Sequence, residues 1–391
     1  MMKDSVNNQN LKLLFAVNLL WVRPGKVGGT EFMIRNLLTG MQKLPDDFHT
    51  VLVVSKDNCD TFEHYQKGDT RFSLLVADTD SENIGKRIIW QNLNFNRLLR
   101  KNKLKYCFSP VYDRPVFNGG VTYVTTIHDI QAHYYPQTHP LYEVLYSKLL
   151  WHANRINSAF TVCISQFVLN DLEKTYHFKK DRMQVIYNPV SVSQLSKERD
   201  GVIFAKLVER YKISDQEYFY TVGQMIPHKN METLLKIMAK IRNENRNLPQ
   251  RLLISGISGN ATDQIIDLTN KLNLENMVTL TGFISNEERD CLYKHAKAFL
   301  FPSVFEGFGI PPIEAMMCDT PVITTRCTSI PEVTQGFANY VSDPYNPDEW
   351  IQIMENITNR SNELDANRYQ DKVIAEQYIN TLRKAFKNTG K

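Results

Sequence analysis

The feature that most constrains this chain is an alternation of short apolar runs with amphipathic helical runs, which occurs in two series. Apolar runs of this length predict buried strands, and helices between them imply parallel pairing with both sheet faces covered. The sequence therefore predicts an α/β chain with two doubly wound parallel-sheet domains. The predicted strands are 13–20, 50–55, 106–109, 121–127, 160–164 and 183–187, then 218–222, 251–255, 278–281, 298–301, 321–324 and 340–342.

The two series meet in a polar, charged segment between residues 188 and 209, which follows an Asn-Pro break. We expect an N-terminal domain over residues 1–190 and a second domain over residues 191–369. The length of 391 residues suits this division, because single cores stop growing beyond about 250–300 residues.

Charge narrows the class of protein. A formal net charge of +4 is too small for a nucleic-acid polycation, so we expect no nucleic-acid partner. Residues 86–105 nevertheless contain basic residues and no acid. They form either a solvated helix face or a contact for an anionic membrane surface or a lipid diphosphate. These basic residues are Lys86, Arg87, Arg97, Arg100, Lys101, Lys103 and Lys105.

Six scattered cysteines without CxxC or zinc-ligand spacing indicate a reducing compartment. The apolar run 11–22 could pass for a signal-peptide core, but no small-residue cleavage site follows it. It is also shorter than the roughly 20 residues that span a bilayer. We expect a buried first strand and a cytoplasmic protein, with residues 86–105 as a peripheral contact on the inner face of the plasma membrane.

Two glycine turns follow predicted strands. Gly28 and Gly29 open a helix, where free amide groups favour an anion, although a plain strand-to-helix turn remains an alternative. The turn is not GxGxxG, and no acid ends the second strand, which disfavours a dinucleotide-binding dehydrogenase. Gly223 turns the chain after strand 218–222, and Lys229 then stands at a helix entrance. That lysine either neutralises a diphosphate or is an ordinary surface residue.

The stretch FPSVFEGFGIPPIEAM, residues 301–316, combines glycines, prolines and two glutamates. Its glycines allow the backbone to approach a ligand, and its Pro-Pro pair suits a first helical turn. Glu306 and Glu314 flank the amides of residues 308–310, which fits a ligand with both phosphate and sugar hydroxyls. Glu-x7-Glu lacks the usual metal-ligand spacing and there is no DxD, so we expect no metal. A two-carboxylate hydrolase remains an alternative.

EGFGIPPIE followed by AMMCDTPVITT resembles the Glu-x7-Glu signature of retaining glycosyltransferases of the GT-B fold, family 4. PHKN after Gly223, the glycine pair at 28–29 and IHD at 127–129 are similar to other landmarks of that family, over roughly residues 11–360. The resemblance implies two Rossmann-like domains facing a central cleft. The first would take the acceptor and the second the nucleotide sugar, and a last helix at about 370–391 would pack back on the first.

The resemblance also implies site residues and a nucleotide-diphosphate sugar as the donor, without a cofactor. His128, followed by Asp129, would lie beside the sugar, Glu306 would hold the transferred sugar, and Lys229 would contact the diphosphate. Glu314 would bind the ribose hydroxyls. The other donor-binding residues would be Gly28 and Gly29 near the phosphates, Phe283 and Ile284 near the base, Gly223, Gln224, His228, Gly307, Phe308, Gly309 and Ile310.

The implied reaction is retaining transfer of a hexose to a glycan or lipid-linked saccharide hydroxyl, in surface polysaccharide or glycoconjugate assembly. Gln224 stands where the family often has arginine, which shifts charge neutralisation to Lys229, with help from His228. Because of this departure, a non-catalytic binding protein of the same fold is an alternative to the transferase. A sugar-nucleotide epimerase or a phosphorylase of the same fold is a further alternative. The base, the sugar, the acceptor and the oligomeric state stay open.

Overall fold

The structure, a computed structural model, describes residues 12–26, 28–256 and 260–388. These residues form two compact units. The first contains the chain up to Ile164, Leu169–Pro189 and the residues from Gln370 onward; the second contains Ser165–Val168 and Val190–Tyr369.

Each unit contains one sheet. The strands are β1 (Leu13–Asn18), β2 (Phe48–Val54), β3 (Phe72–Val76), β4 (Tyr106–Ser109), β5 (Thr122–Ile127), β6 (Phe160–Cys163) and β7 (Met183–Val185) in the first, and β8 (Phe219–Val222), β9 (Leu252–Ser255), β10 (Val278–Gly282), β11 (Ala298–Phe301), β12 (Val322–Thr325) and β13 (Asn339–Val341) in the second.

Helices connect most of these strands. They are α1 (Gly29–Gln42), α2 (Glu63–Gln66), α3 (Ile84–Trp90), α4 (Asn96–Lys101), α5 (Gln131–Tyr134), α6 (Leu141–Asn157), α7 (Gln166–Tyr176), α8 (Lys197–Tyr211), α9 (Met231–Asn243), α10 (Asn260–Lys271), α11 (Asn286–His295), α12 (Ile310–Met317), α13 (Ile330–Val333), α14 (Pro347–Glu355) and α15 (Asp371–Asn388). Within the described ranges, no helix is both long enough and apolar enough to cross a membrane.

The strand order is β3-β2-β1-β4-β5-β6-β7 in the first unit and β10-β9-β8-β11-β12-β13 in the second. All neighbouring strands are parallel, which confirms the predicted doubly wound architecture. Sequence periodicity did not predict β3. This strand lies at the sheet edge and most of its residues are partly exposed, so its apolar signal is weak.

The first unit has a core on each face of its sheet, because successive strand residues point to opposite faces. Phe15 and Val17 pack into the larger core with α1 and α15. Ala16 packs into the smaller core on the other face, with Phe95 and Leu99. Burial on both faces explains why β1 reads as a continuous apolar run.

The last helix, α15, packs closely against α1. Ile374, Tyr378 and Leu382 are fully buried in the core that they share with α1. Gly40 makes the approach possible: a Cβ there would lie 2.2 Å from the backbone oxygen of Asp371. This helix therefore completes the first unit although the whole second unit precedes it in the sequence.

The second unit buries a mainly aliphatic core and a separate group of aromatic rings. Ile254 and Leu300 pack with Trp350 of α14 in the aliphatic core. The rings of Tyr220 and Tyr293 are 5.1 Å apart, and Tyr293 and Phe299 are 5.0 Å apart in an edge-to-face contact. This aromatic group places Tyr293 of α11 beside the helix that carries Glu314.

Candidate active site

The motif loops of the second unit leave its sheet at one position. Chain progression reverses between β8 and β11, and loops that leave neighbouring strands in opposite directions open a crevice there. Residues 223–230 follow β8, and residues 302–309 follow β11. The fold thus brings together two segments that are about 80 positions apart in the sequence.

An ion pair joins the two loops. Lys229 Nζ lies 2.5 Å from Glu306 Oε1, and the lysine side chain is 25% exposed while the glutamate side chain is 13% exposed. Lys229 ends a 3₁₀ turn, and Asn230 adopts a left-handed conformation with φ 51° before α9 begins. The turn directs the ammonium group across the crevice, 5.8 Å from the ring centre of Phe301.

Serine and threonine side chains hold the loop that carries Glu306. Ser303 Oγ donates to the His228 carbonyl at 3.1 Å, and the Val304 amide donates to the same oxygen at 2.8 Å. Thr328 Oγ1 accepts from the Glu306 amide at 3.0 Å. His228 is buried, and its backbone carbonyl connects the loop after β8 to the loop after β11.

Two further serines bind carbonyl oxygens of this loop. Ser165 Oγ donates to the Gly307 carbonyl at 2.7 Å, and Ser329 Oγ lies 2.8 Å from the Phe308 carbonyl oxygen. In a trans peptide the C=O and the following N–H point in opposite directions. The amides of Phe308 and Gly309 therefore point away from these serines. Neither serine was among the sequence predictions, because only the fold brings them to the loop.

Glu314 lies in α12, which begins at Ile310 after Gly309 at φ 98°. Its side chain is buried, and burial raises the pKa of the carboxyl to about 7, although the neighbouring arginine opposes this shift. Arg289 Nη2 lies 3.1 Å from Glu314 Oε1, and the Tyr293 hydroxyl donates to Oε2 at 3.3 Å.

Sequence reasoning missed Arg289 and Tyr293 as partners of Glu314. Both lie on α11, and their spacing of four places them on one face of that helix. This spacing is a local signal that could have identified them as a pair, but it contains no information about which helix they face. Arg289 Nη2 also lies 2.8 Å from Asp290 Oδ1, so the guanidinium is shared between two carboxylates.

Three other predicted donor-binding residues, Phe283, Ile284 and Gln224, are more exposed than Glu314. Phe283, in the loop between β10 and α11, is 79% exposed, and Ile284 beside it is half-buried. Gln224 is exposed after Gly223, whose amide donates to Ser255 at 3.1 Å. An exposed aromatic ring at the end of a strand can stack on a planar ligand.

In the first unit, the glycine turn lies at the carboxyl end of β1. Gly28 has φ 71° and precedes α1, and a Cβ there would meet no atom within 4 Å. Glycine is therefore required at this position by backbone conformation and not by space. Gly29 begins the helix, and its neighbour Glu31 accepts from the Gly25 amide at 3.0 Å.

His128 and Asp129 follow β5 in the same unit. His128 Nε2 lies 2.9 Å from the Pro110 carbonyl oxygen, which can only accept, so Nε2 carries the proton. Burial lowers the pKa of His128 to about 4, which keeps the imidazole neutral at physiological pH. Asp129 Oδ1 accepts from the Gln131 amide at 2.9 Å and helps to start α5.

One group of metal-ligating side chains occurs among the described residues of the second unit. Ligand atoms of Asp200, Cys291 and His295 lie within 4.8 Å of one another. Lys294 Nζ lies 2.6 Å from Asp200 Oδ2, and His295 Nδ1 lies 2.8 Å from Asp215 Oδ1. Asp200 is thus already paired with the Lys294 ammonium group, and the group forms an ion-pair network between α8 and α11.

Comparison with known proteins identifies the class of protein that this fold and these loops define. Residues 27–194 match the family model Glycosyltransferase Family 4, and residues 204–372 match the model Glycosyl transferases group 1. Together the two matches cover most of the chain. The protein is a glycosyltransferase of the GT-B fold. Within that class, the two matches confirm the resemblance to family 4 that the sequence motifs predicted.

Curated relatives include two mannosyltransferases. The chain is 27% identical over 352 residues to "O-antigen chain mannosyltransferase RfbU" of Salmonella typhimurium, covering 87% of this chain and 90% of that protein. It is 30% identical over 225 residues to "O-antigen chain mannosyltransferase B" of Escherichia coli, covering 58% of each chain.

Solved structures agree on the fold. Sucrose-phosphate synthase from Thermosynechococcus elongatus has a TM-score of 0.70 at 17% identity, covering 96% of this chain and 100% of that one. HepE of Anabaena, solved with UDP and glucose, has a TM-score of 0.67 at 14% identity, covering 97% and 99%.

Proposed function

We propose that this glycosyltransferase is a retaining, metal-independent enzyme that moves a hexose from a nucleotide-diphosphate sugar to a hydroxyl of a saccharide or lipid-linked saccharide. The observation that carries the proposal is the Lys229–Glu306 pair, which joins the loops after β8 and β11 close in sequence to the amides of Phe308 and Gly309. A cation and amides suit a diphosphate, and carboxylates suit sugar hydroxyls.

In the proposed step, the acceptor oxygen bonds to the anomeric carbon as the bond from that carbon to the diphosphate oxygen breaks. The leaving phosphate takes the acceptor proton, so the protein needs no strong base. Lys229 and the amides of Phe308 and Gly309 stabilise the charge that develops on the diphosphate. Because this positive charge comes from the chain, chelators should leave the rate unchanged.

The remaining roles follow the resemblance to the family. Glu306 accepts hydrogen bonds from the transferred sugar, and Glu314 accepts them from the ribose. Phe283 stacks on the base, which its exposed ring permits. His128 contributes as a neutral group near the sugar, because burial lowers its pKa to about 4 and so disfavours protonation at pH 7.

We propose mannose as the hexose and surface polysaccharide assembly as the setting. Support comes from the two relatives named as O-antigen chain mannosyltransferases. One of them aligns over 90% of its length, so the likeness is not confined to one domain. The nucleotide base is left to experiment.

A combined binding and turnover assay tests the proposal. GDP, UDP, dTDP and their common sugar conjugates are screened by thermal shift, and nucleotide release is measured in the same wells. A ligand at about 100 times its Kd adds roughly 2.7 kcal/mol of stability. We expect a shift with one nucleotide and slow release from one conjugate. Product NMR should show the anomeric configuration of the donor; inversion would refute the retaining mechanism.

The alternatives predict other results in this assay. Binding of a nucleotide without release, whichever acceptor is offered, indicates a non-catalytic binding protein, the reading that Gln224 kept open. Turnover without a saccharide acceptor indicates an epimerase, and turnover with phosphate alone indicates a phosphorylase. No shift with any nucleotide would refute the donor site itself.

A membrane contact through residues 86–105 is a further part of the proposal. Lys86, Arg97, Arg100 and Lys101 are exposed on the α3–α4 segment, which also exposes the apolar side chains Ile89 (62%) and Leu93 (73%). Basic and apolar side chains on one helical segment suit the surface of an anionic leaflet.

The structure corrects one member of the basic stretch. Arg87 is buried and pairs with Asp113 at 2.5 Å, so it cannot belong to an exposed patch. Lys103 and Lys105 lie around a separate hollow of about 670 Å³, together with Lys12 and Arg383. The basic stretch therefore contributes to two surfaces of the first unit and to its interior.

Vesicle flotation tests the membrane contact. The wild-type protein should float with anionic vesicles at low salt and be released at high salt, because the attraction is screened. The double variant Arg97→Glu, Lys101→Glu should stay in the vesicle-free fraction. Lys197→Glu with Lys206→Glu, at two exposed positions on α8 of the second unit, is the matched double charge reversal and should float normally. Equal flotation of both variants would refute residues 86–105 as the contact.

A further inference from the structure

Helices α8 and α11 of the second unit carry three side chains of the kinds that bind zinc. The carboxylate of Asp200, the thiol of Cys291 and the imidazole of His295 each place one ligand atom within 4.8 Å of the other two. Cys291 and His295 are four residues apart, so they share one face of α11. The carboxylate comes from α8, 91 positions before the thiol. Only the fold brings these ligands together, which is why sequence spacing contained no zinc signal.

The carboxylate has an unused oxygen. Asp200 and Cys291 are buried, and the His295 side chain is 19% exposed. Asp200 Oδ2 is paired with Lys294 Nζ at 2.6 Å. Asp200 Oδ1 is buried and has no hydrogen-bond partner among the described residues. A buried carboxylate oxygen is costly to leave without a partner. A metal ion at Oδ1 would complete the group while Oδ2 keeps its lysine.

The hydrogen bonds of His295 orient its other nitrogen toward the same group. His295 Nδ1 lies 2.8 Å from Asp215 Oδ1, and a carboxylate can only accept, so Nδ1 carries a proton. Metal-ligating histidines are commonly held in this way by a second carboxylate. The ring of Phe204 stacks on the imidazole with 3.8 Å between the ring centres, which restrains it further. Nε2 therefore faces Asp200 with a lone pair or a second proton.

The spacing of the ligands suits a tetrahedral zinc ion. His295 Nε2 lies 3.3 Å from Asp200 Oδ2. Two nitrogen or oxygen ligands at about 2.0–2.1 Å from one tetrahedral ion are about 3.3 Å from each other. A set of thiolate, imidazole and carboxylate also matches zinc by ligand type, whereas magnesium and calcium prefer oxygen alone.

A hollow beside the group offers a route for the ion and a place for a fourth ligand. The hollow has a volume of about 440 Å³, and Asp200 and Lys294 line it. A water molecule there could complete four-coordinate geometry. The charges would also balance, because a divalent ion offsets the Cys291 thiolate and the Asp200 carboxylate, and Lys294 offsets Asp215.

The group lies at the opposite end of the sheet from the donor crevice. His295 is three residues before the start of β11, and Asp215 is four residues before the start of β8. The crevice lies at the carboxyl ends of the same two strands. An ion bound here would act on the fold by joining α8 to α11, the helix that also contacts Glu314.

We propose that Asp200, Cys291 and His295 form a structural zinc site that joins α8 to α11. A water is the fourth ligand, and Asp215 orients the histidine. On binding, the Cys291 thiol releases its proton to solvent and binds as the thiolate. The ion takes no part in sugar transfer, so this inference goes beyond the proposed function and does not depend on it.

Cobalt spectroscopy tests the site on the full chain. The protein is dialysed against EDTA, the chelator is removed, and Co²⁺ is titrated in. Cobalt bound by a thiolate has a near-ultraviolet charge-transfer band that cobalt bound only by nitrogen and oxygen lacks. We expect one cobalt per chain with this band. Zn²⁺ should displace the cobalt at low excess, because zinc binds such ligands more tightly.

Three variants assign the ligands. Cys291→Ser should abolish the charge-transfer band, because it removes the thiolate. Cys327→Ser is the matched control, since Cys327 is a half-buried cysteine of the same unit outside the group, and it should keep the band. Asp215→Ala retains all three ligands but should weaken zinc binding about 10- to 100-fold. Circular dichroism establishes that each variant is folded.

The absence of a thiolate band in the wild type, or a band that survives in Cys291→Ser, would overturn the proposal and leave an ion-pair network alone. Thermal unfolding is a second readout. Zn²⁺ should raise the Tm of the wild type and of Cys327→Ser more than that of Cys291→Ser. Equal shifts in all three proteins would also overturn it.

Transfer assays with EDTA separate this inference from the proposed function. We expect the chelated wild type to lose thermal stability and to keep its transfer rate. If EDTA abolishes transfer while Cys291→Ser transfers normally without chelator, a metal acts at the donor site. That result would contradict the proposed metal independence, and the cobalt band would still decide the zinc site.

Discussion

Replacing Lys229 by alanine removes the one cation that joins the two motif loops of the second unit. Its pair with Glu306 is mostly buried, so the loss should cost more than an exposed pair does. An exposed pair contributes about 0–1 kcal/mol, and breaking a fully buried one costs about 3–5 kcal/mol. Exposures of 25% and 13% place this pair between the limits, at about 2 kcal/mol.

The effect on donor binding should be of similar size. A hydrogen bond to a charged group contributes about 1.5–3 kcal/mol. At 1.4 kcal/mol per factor of ten, Lys229→Ala should weaken nucleotide-diphosphate binding by about 10- to 100-fold. Transfer should fall further, because the charge on the diphosphate grows as the glycosidic bond breaks.

Lys236→Ala is the matched control, since it breaks another lysine–glutamate pair in the same unit. Lys236 Nζ lies 2.8 Å from Glu232 Oε1, and both side chains are about half exposed, at 52% and 54%. Its loss should cost about 0.5 kcal/mol and leave the nucleotide affinity unchanged. Calorimetric titration measures affinity, and urea unfolding measures stability. Equal nucleotide affinity in the two variants would refute the assigned role of Lys229.

Three further predictions concern stability and pH. Because burial raises the pKa of Glu314 to about 7, the folded state favours the protonated carboxyl. The wild type should therefore lose stability relative to Glu314→Gln as pH rises from about 5 to 8, by up to about 3 kcal/mol, while its nucleotide affinity rises over the same range. Urea unfolding and titration at both pH values measure this, and parallel stability curves would contradict it. Because burial lowers the pKa of His128 to about 4, wild-type stability should fall as pH drops from about 6.5 to 4. His128→Asn should flatten that fall in urea unfolding. Gly40→Ala should destabilise the first unit by about 3 kcal/mol, since its Cβ would clash with Asp371, whereas Gly201→Ala, whose Cβ meets nothing within 4 Å, should be neutral or stabilising in thermal unfolding.

The two units use one structural solution at their strand-order reversals. In the second unit, the Lys229–Glu306 pair at 2.5 Å connects the loops after β8 and β11. In the first unit, the Arg87–Asp113 pair at 2.5 Å connects helix α3 to the loop after β4. Both pairs have low exposure, and both lie where parallel sheets bind ligands. The surroundings differ: the buried backbone of residues 307–309 follows Glu306 in the second unit, whereas aromatic rings line a cavity beside Arg87 and Asp113 in the first.

Sequence alone predicted the fold class and the locations of the motifs. Strand and helix periodicities are local, so they identified most strands and required parallel sheets. The glycines and prolines around Gly309 identified the start of α12, because each restricts the backbone at its own position. Edge strand β3 escaped prediction, since a half-exposed strand carries little apolar signal.

Tertiary structure alone decided which side chains meet. The sequence contains no signal that Arg289 would share Glu314 or that Ser165 would bind the Gly307 carbonyl. It placed Arg87 in an exposed basic run, whereas the fold buries it against Asp113. These contacts join residues far apart in the chain, and their energies depend on distance and burial, which periodicity and composition do not contain.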